Sequence, residues 1–253
     1  GKLAESMNTL LSTVETQFAA RLDSERRMRQ FMADASHELR TPLTSIRGYA
    51  ELARMQRTLG GALDGDTTAD NLERIESEGT RMSRLVEDLL TLARSDQGGV
   101  PEMAVVDVNE LLDDVVASSR AAFPQREISC HDGAGLTVVG DQDQLLRAVR
   151  NLVSNAATHT NPAGAIDVRA FGSGPGVAIQ VVDQGPGLPP EEAAHVFERF
   201  WRADKARTRA RGGTGLGLAI VASIVQMHGG TVQFQSTVED GSTVTVWLPA
   251  RTA

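Results

Sequence analysis

Apolar positions in the first part of the chain recur at alternating spacings of four and three. Leu3, Met7, Leu10 and Val14 keep that rhythm, Phe18 and Leu22 follow at a spacing of four, and the charged run DSERRMRQ continues without a helix breaker. This is a coiled-coil seam with a local shift of phase, leading straight toward His37. The seam is already in phase at its first residues, so the chain is expected to begin inside a longer helix. Around LGGALDGDT, residues 59–67, three glycines and two aspartates supply turn chemistry and end the first helix. A second helix follows, with Leu72, Ile75, Met82, Val86, Leu89 and Ala93 on a heptad seam that only Gly79 interrupts; residues 95–101 then read as a linker. Two helices with one apolar face each cannot bury those faces alone. Pairing of two hairpins into a dimeric four-helix bundle is the economical solution. A hairpin packed on the chain's own second domain is the alternative.

From residue 104 onward the pattern changes to strands alternating with helices. Strands are predicted at 104–108, 126–130, 136–140, 165–171, 177–183, 231–237 and 242–248. Helices are predicted at 109–122, 141–158 and 215–228. The helix at 141–158 opens on Asp141 as N-cap and places Leu145, Val149, Leu152, Val153 and Ala156 on one face. Grouped strand pairs with helices between them predict an α/β sandwich with its helices on one side of the sheet.

Composition narrows the function. With 253 residues and 41% hydrophobic content, the chain holds one large or two modest domains with cores of their own. The single cysteine, Cys130, excludes an internal disulfide and a thiolate zinc site, which suits a reducing cytosol. A net charge of -8 disfavours a nucleic-acid-binding face. No apolar run reaches the roughly 18 residues a membrane span requires.

The stretch FMADASHELRTPLTSI, residues 31–46, concentrates the candidate chemistry. Glu38 follows His37 directly, and Thr41 lies one helical turn on, sharing the histidine's face. Pro42 removes the amide that would bond the carbonyl of Glu38 and loosens the backbone beside the histidine. Farther along, DQGPGLP at 183–189 comes off a strand and lets the backbone turn tightly beside a ligand, while Asp183 offers an acceptor to the exocyclic amine of adenine. RGGTGLGLAIV at 211–221 leads four glycines into a helix, where free amides and the helix dipole favour phosphate. It is neither a Walker A sequence nor G-x-G-x-x-G. Asn151 and Asn155 stand four apart on one helix face, and an amide oxygen is a suitable hard ligand for Mg²⁺. Each cluster alone has a structural explanation in a turn or a polar helix face. Together, and in this order, they form a pattern.

That ordered set resembles the sensor histidine kinases of bacterial two-component systems: an H box at His37, an N box from Asn151 to Asn155, G1 at Asp183 to Gly187, an F box at Phe197 to Phe200 and G2 at Gly213 to Gly217. The resemblance covers nearly the whole chain. It implies a fold of α plus α/β class, in which a helical hairpin forms a dimeric four-helix bundle and precedes an α/β sandwich of the histidine kinase, gyrase, Hsp90 and MutL ATP-binding type. The implied domains are 1–24, the end of a signalling coiled coil of HAMP-like kind; 25–97, dimerisation and histidine phosphotransfer; and 101–253, the catalytic ATP-binding domain. It further implies ATP and Mg²⁺ as cofactors, with Asn155 as the metal ligand, Asn151 near the phosphates and Asp183 as adenine anchor. Gly185, Gly187, Gly213, Gly215 and Gly217 would shape the pocket and the lid hinges, Thr243 would support the adenine end, and Arg202 would contact the γ-phosphate. Arg207 and Arg209 read as solvated lid residues. Thr158 departs from the family, standing where the N box often carries lysine.

On this resemblance the expected function is ATP-dependent autophosphorylation of His37 and transfer of the phosphoryl group to an aspartate of a response regulator. Glu38 would orient the imidazole, and Thr41 would position water for phosphatase action on the same regulator. The partners implied are that regulator and a second copy of the chain, with no nucleic acid. This part of the protein is expected in the cytoplasm, and the full-length protein in the bacterial cell membrane through upstream segments. An ATPase of the same fold that phosphorylates nothing, and a degenerate kinase serving as a scaffold, are the competing readings.

Overall fold

The computed structural model describes residues 2–58, 65–96, 101–131, 133, 135–161, 164–203 and 213–250. The chain divides into two compact units, residues 1–85 and 86–253. Its first two elements are long helices, α1 (Lys2–Thr58) and α2 (Gly65–Asp96), which form a helical hairpin. The turn expected at 59–67 falls partly outside the described residues, and its last three positions already belong to α2.

Pro42 sits inside α1, which continues through it as helix. Hydroxyl groups crowd the same place: Thr41 donates to the His37 carbonyl at 3.3 Å, Thr44 to that of Arg40 at 2.9 Å and Ser45 to that of Thr41 at 3.3 Å. Side-chain donors of this kind share carbonyls with backbone amides and let a helix bend. Among the less exposed positions of α1, Phe31, Ala35, Glu38, Pro42, Ser45 and Tyr49 repeat at four and three. On α2 the corresponding stripe is Asn71, Ile75, Glu78, Met82, Leu85, Leu89 and Leu92. Arg74 of α2 donates to the Tyr49 hydroxyl of α1 at 3.1 Å. The seam expected on α2 is therefore divided. Ile75, Met82 and Leu89 lie on the inner stripe, while Leu72 and Val86 are exposed together with Leu90. The apolar face is wider than one hairpin contact covers. Along the start of α1, Met7, Leu10, Val14, Phe18 and Leu22 are likewise exposed.

Among its described residues the second unit contains seven strands: β1 (Ala104–Asp107), β2 (Ile128–His131), β3 (Thr137–Gly140), β4 (Ile166–Ser173), β5 (Gly176–Asp183), β6 (Thr231–Thr237) and β7 (Gly241–Pro249). Helices α3 (Val108–Ala122), α4 (Gln142–His159), the single turn α5 (Pro190–Ala193) and α6 (Gly217–Met227) lie between them. The main sheet runs β2-β4-β5-β7-β6, parallel only between β2 and β4, and β1 pairs with β3 in a separate antiparallel ribbon. Alternating burial along β4 shows one face turned inward. There α3, α4 and α6 contribute the fully buried Leu112, Val115, Leu152, Val153, Ile220 and Ile224, and the sheet contributes Ile166 and Val168. Each such side chain contributes about 1.5–3 kcal/mol by leaving water. Among the described residues, no helix is long and apolar enough to cross a membrane.

One buried polar joint ties two of these helices together. His228, just past α6, is 3% exposed; its Nε2 accepts from the Asp141 amide at 2.9 Å, and its Nδ1 faces the Ile224 carbonyl at 2.7 Å. That pairing requires the neutral ring with its proton on Nδ1. Asp141 in turn caps α4, accepting from the Gln144 amide at 3.1 Å. Replacing His228 by Leu should leave the Asp141 amide unpaired and cost about 1–3 kcal/mol. Urea unfolding of the two proteins measures it, and an unchanged midpoint would contradict the assignment.

Candidate functional site

Asp183 ends β5, the central strand, where its backbone pairs with Ile166 on one side and Ser242 on the other. Asp183 is 8% exposed. Its Oδ1 accepts from the Gly185 amide at 2.8 Å and from the Thr160 hydroxyl at 3.2 Å. Burial pushes the Asp183 carboxyl above the ordinary carboxylate range, and the bonds from Gly185, Thr160 and the Ser242 backbone pull the other way. The result is a fixed, nearly dry acceptor at the sheet's end.

Glycine is required around it for measurable reasons. Gly187 has φ +64°, and a Cβ there would collide with the Thr237 carbonyl in the β6–β7 turn. At Gly185 a Cβ would come within 2.6 Å of Asp183 Oδ1. The turn is tied to the same loop by the bond from the Glu239 amide to the Pro186 carbonyl, 2.9 Å, and by the Leu188 amide on Ser236 Oγ, 2.8 Å. Thr243 pairs with Val182, next to Asp183 in the sheet.

Farther along, Phe200 and Gly215 close the base of the segment between them. The Phe200 amide donates to the Gly215 carbonyl at 2.8 Å, and both residues have positive φ, 62° and 72°. Phe197 anchors that strand of loop by an edge-on contact with Phe234 at 6.5 Å. Arg202 is half-buried just past this clasp; Arg207 and Arg209 lie outside the described residues. Gly217 opens α6 with no heavy atom within 4 Å of where a Cβ would stand. A helix N-terminus with such clearance suits an anion.

Asn151 and Asn155 lie on α4, which packs against α6 and ends at Thr160 beside Asp183. The Asn151 Nδ2 is buried without a hydrogen-bond partner among the described residues. An orphaned buried amide of this kind suits a polar ligand such as phosphate. The described residues offer no group of three or more His, Cys, Asp or Glu that could hold a metal ion. A cation here would therefore rest on an amide oxygen, phosphate and water, the donor set that suits Mg²⁺. Thr158, in the lysine's usual place, donates to the Ser154 carbonyl at 2.8 Å.

His37 and Thr41 are exposed on α1, whereas Glu38 is half-buried on the inner stripe. These three share the first unit, and the remaining candidates lie in the second. Sequence reasoning missed Thr160. Thr160 follows the N box by five residues, and only the fold carries the end of α4 to Asp183.

A phospho-acceptor helix and a nucleotide-binding α/β sandwich on one chain define a two-component kinase core. Residues 27–98 match the His Kinase A (phospho-acceptor) domain, and residues 140–252 match the family described as histidine kinase-, DNA gyrase B-, and HSP90-like ATPase. The sensor histidine kinase TcrY of Mycobacterium tuberculosis, itself described as probable, is 41% identical over 94% of this chain and 49% of its own length. The solved mycobacterial sensor histidine kinase MprB is 34% identical with a TM-score of 0.53, covering 60% of this chain and 99% of that one. Full-length ShkA in complex with AMPPNP is 28% identical with a TM-score of 0.62, covering 89% of this chain and 46% of ShkA. The chain belongs to the sensor histidine kinase family. It spans about half the length of the curated relatives it matches.

The raised Asp183 carboxyl has a pH consequence. Its stabilising contribution is complete below about pH 4, the ordinary aspartate range, and is lost as pH rises through the elevated folded-state value. The stability of the native protein relative to Asp183→Asn should therefore fall between pH 4 and neutrality. Thermal unfolding across that range tests it, and a difference that grows with pH would reverse the sign argued here.

Proposed function

We propose that this chain is the catalytic core of a sensor histidine kinase that autophosphorylates His37 from ATP and passes the phosphoryl group to an aspartate of a response regulator. One observation carries the reading: an exposed histidine, one turn before an in-helix proline, occurs in the same chain as a nucleotide site completed around Asp183. Asp183 accepts from the adenine amine, held in place by Gly185 and Thr160. Asn151 and the N-terminus of α6 bind phosphate oxygens, Arg202 meets the γ-phosphate, and Thr243 supports the adenine end. Asn155 would hold Mg²⁺, which when bound supplies neutralisation of phosphate charge.

In the first step a ring nitrogen of neutral His37 attacks the γ-phosphorus, a P–N bond forms, the bridging P–O bond breaks and ADP leaves with the electron pair. Glu38 favours the reactive tautomer by accepting from the other ring nitrogen. In the second, a regulator aspartate oxygen takes the phosphoryl group and the P–N bond breaks. Thr41, whose hydroxyl rests on the His37 carbonyl, turns outward to place a water against the phosphorylated regulator. The exposed Leu72, Val86 and Leu90 on α2, with Leu43, Leu52 and Met55 on α1, support a homodimer built on the hairpins. The proposed location of these residues is the cytoplasm, with membrane attachment in segments outside this chain.

Incubation with γ-labelled ATP and Mg²⁺ should place acid-labile, base-stable label on the chain. His37→Gln should abolish that label while ATP binding persists. Label retained by the variant would refute the acceptor, and hydrolysis without any label would favour an ATPase of the same fold.

Thr41→Ala should leave His37 labelling within about twofold and slow dephosphorylation of the regulator by about tenfold or more, the scale of a lost water-positioning group. Label incorporated into the chain gives the first rate, and labelled phosphate released from the regulator gives the second. Equal loss of the two would make Thr41 a structural residue of the helix.

A further inference from the structure

The final turns of α2 belong to the second unit, and three polar residues there share one face: Asp88, Thr91 and Ser95. Asp88 Oδ1 pairs with Arg147 Nη2 at 2.9 Å, and Arg147 Nη1 donates to Thr91 Oγ1 at 2.5 Å. Asp88 Oδ2 accepts from the Thr214 hydroxyl at 3.4 Å, and Ser223 donates to Ser95 at 2.5 Å. One carboxylate thus touches both elements assigned to phosphate. Arg147 stands on α4 one turn before Asn151 and two before Asn155. Thr214 lies between Gly213 and Gly215 and accepts the Leu216 amide at 3.3 Å, where α6 begins.

The pair is partly withdrawn from water, with side-chain exposures of 33% for Arg147 and 17% for Asp88. Burial raises the Asp88 carboxyl, and the bonds from Arg147 and Thr214 oppose that. Removing one member of such a pair leaves the other's charge uncompensated. Here that charge would face a site for a polyanion. A bare Arg147 attracts the phosphates, whereas a bare Asp88 repels them.

We infer that Asp88 and Arg147 form a charge latch in which the end of α2 and the nucleotide phosphates compete for the arginine. This rests on the reading of the site as an ATP site. Linkage makes the competition reciprocal: nucleotide favours release of α2, and release of α2 favours nucleotide. Asp88 and Arg147 are positioning residues for the phosphate end, acting through charge.

The test is calorimetric titration of the full chain with AMPPNP and Mg²⁺. Asp88→Asn should bind several-fold more tightly than wild type, and Arg147→Gln several-fold more weakly. Arg147→Lys, which keeps the charge and loses the fork, should stay near wild type. A merely structural joint would move both neutral variants in the same direction, and that result, or no change in either, overturns the latch. If Arg147→Gln fails to fold, Asp88→Asn and Arg147→Lys still decide the sign. Amide hydrogen exchange over residues 86–95 should quicken on saturation of the wild-type protein with AMPPNP, and unchanged or slower exchange also overturns the inference. Failure of the wild-type chain to bind AMPPNP would instead overturn the ATP site itself.

Discussion

The carboxylate of Asp183, held almost dry at the end of the central strand, constrains everything around it. Withdrawing that charge from water is costly unless donors replace the lost hydration. The Gly185 amide and the Thr160 hydroxyl supply two of them, and each imposes a condition on distant chain. Thr160 must be delivered by the end of α4, so the helix that bears Asn151 and Asn155 is fixed against the sheet at the same point. Gly185 demands a tight turn, which brings Gly187 against Thr237 so closely that no side chain fits there. The buried Asp183 acceptor and the placement of Asn151 and Asn155 are thus parts of one packing solution.

The helical half solves the opposite problem. On α1 His37 is exposed, and the helix continues through Pro42 without ending. Pro42 falls on the buried stripe, so its ring is packed, while the missing amide and the hydroxyls of Thr41, Thr44 and Ser45 loosen the turn that bears His37.

The end of α2 is bonded into the second unit. Its carboxylate at Asp88 is bonded to Arg147 of α4 and to Thr214 of the glycine segment. A polar joint of this kind can be undone by a competing anion, whereas a buried apolar one cannot.

Much of this was legible in the sequence because local rules dominate where the signals are strong. All seven strands and the three longer helices of the second unit follow from periodicity, and Asp141 and the glycines from capping and turn chemistry. The short α5 was not legible, since one turn has no period. The seam of α2 was read only in part: a broad apolar stripe does not say which edge meets the hairpin partner, and the fold chose Leu85 and Leu92 while leaving Leu72 and Val86 exposed. Thr160 beside Asp183, His228 on the cap of α4 and Arg147 between Asp88 and Thr91 required the tertiary structure. Each contact joins residues brought together by chain closure over 23 to 87 positions, and no local preference of either partner encodes the other.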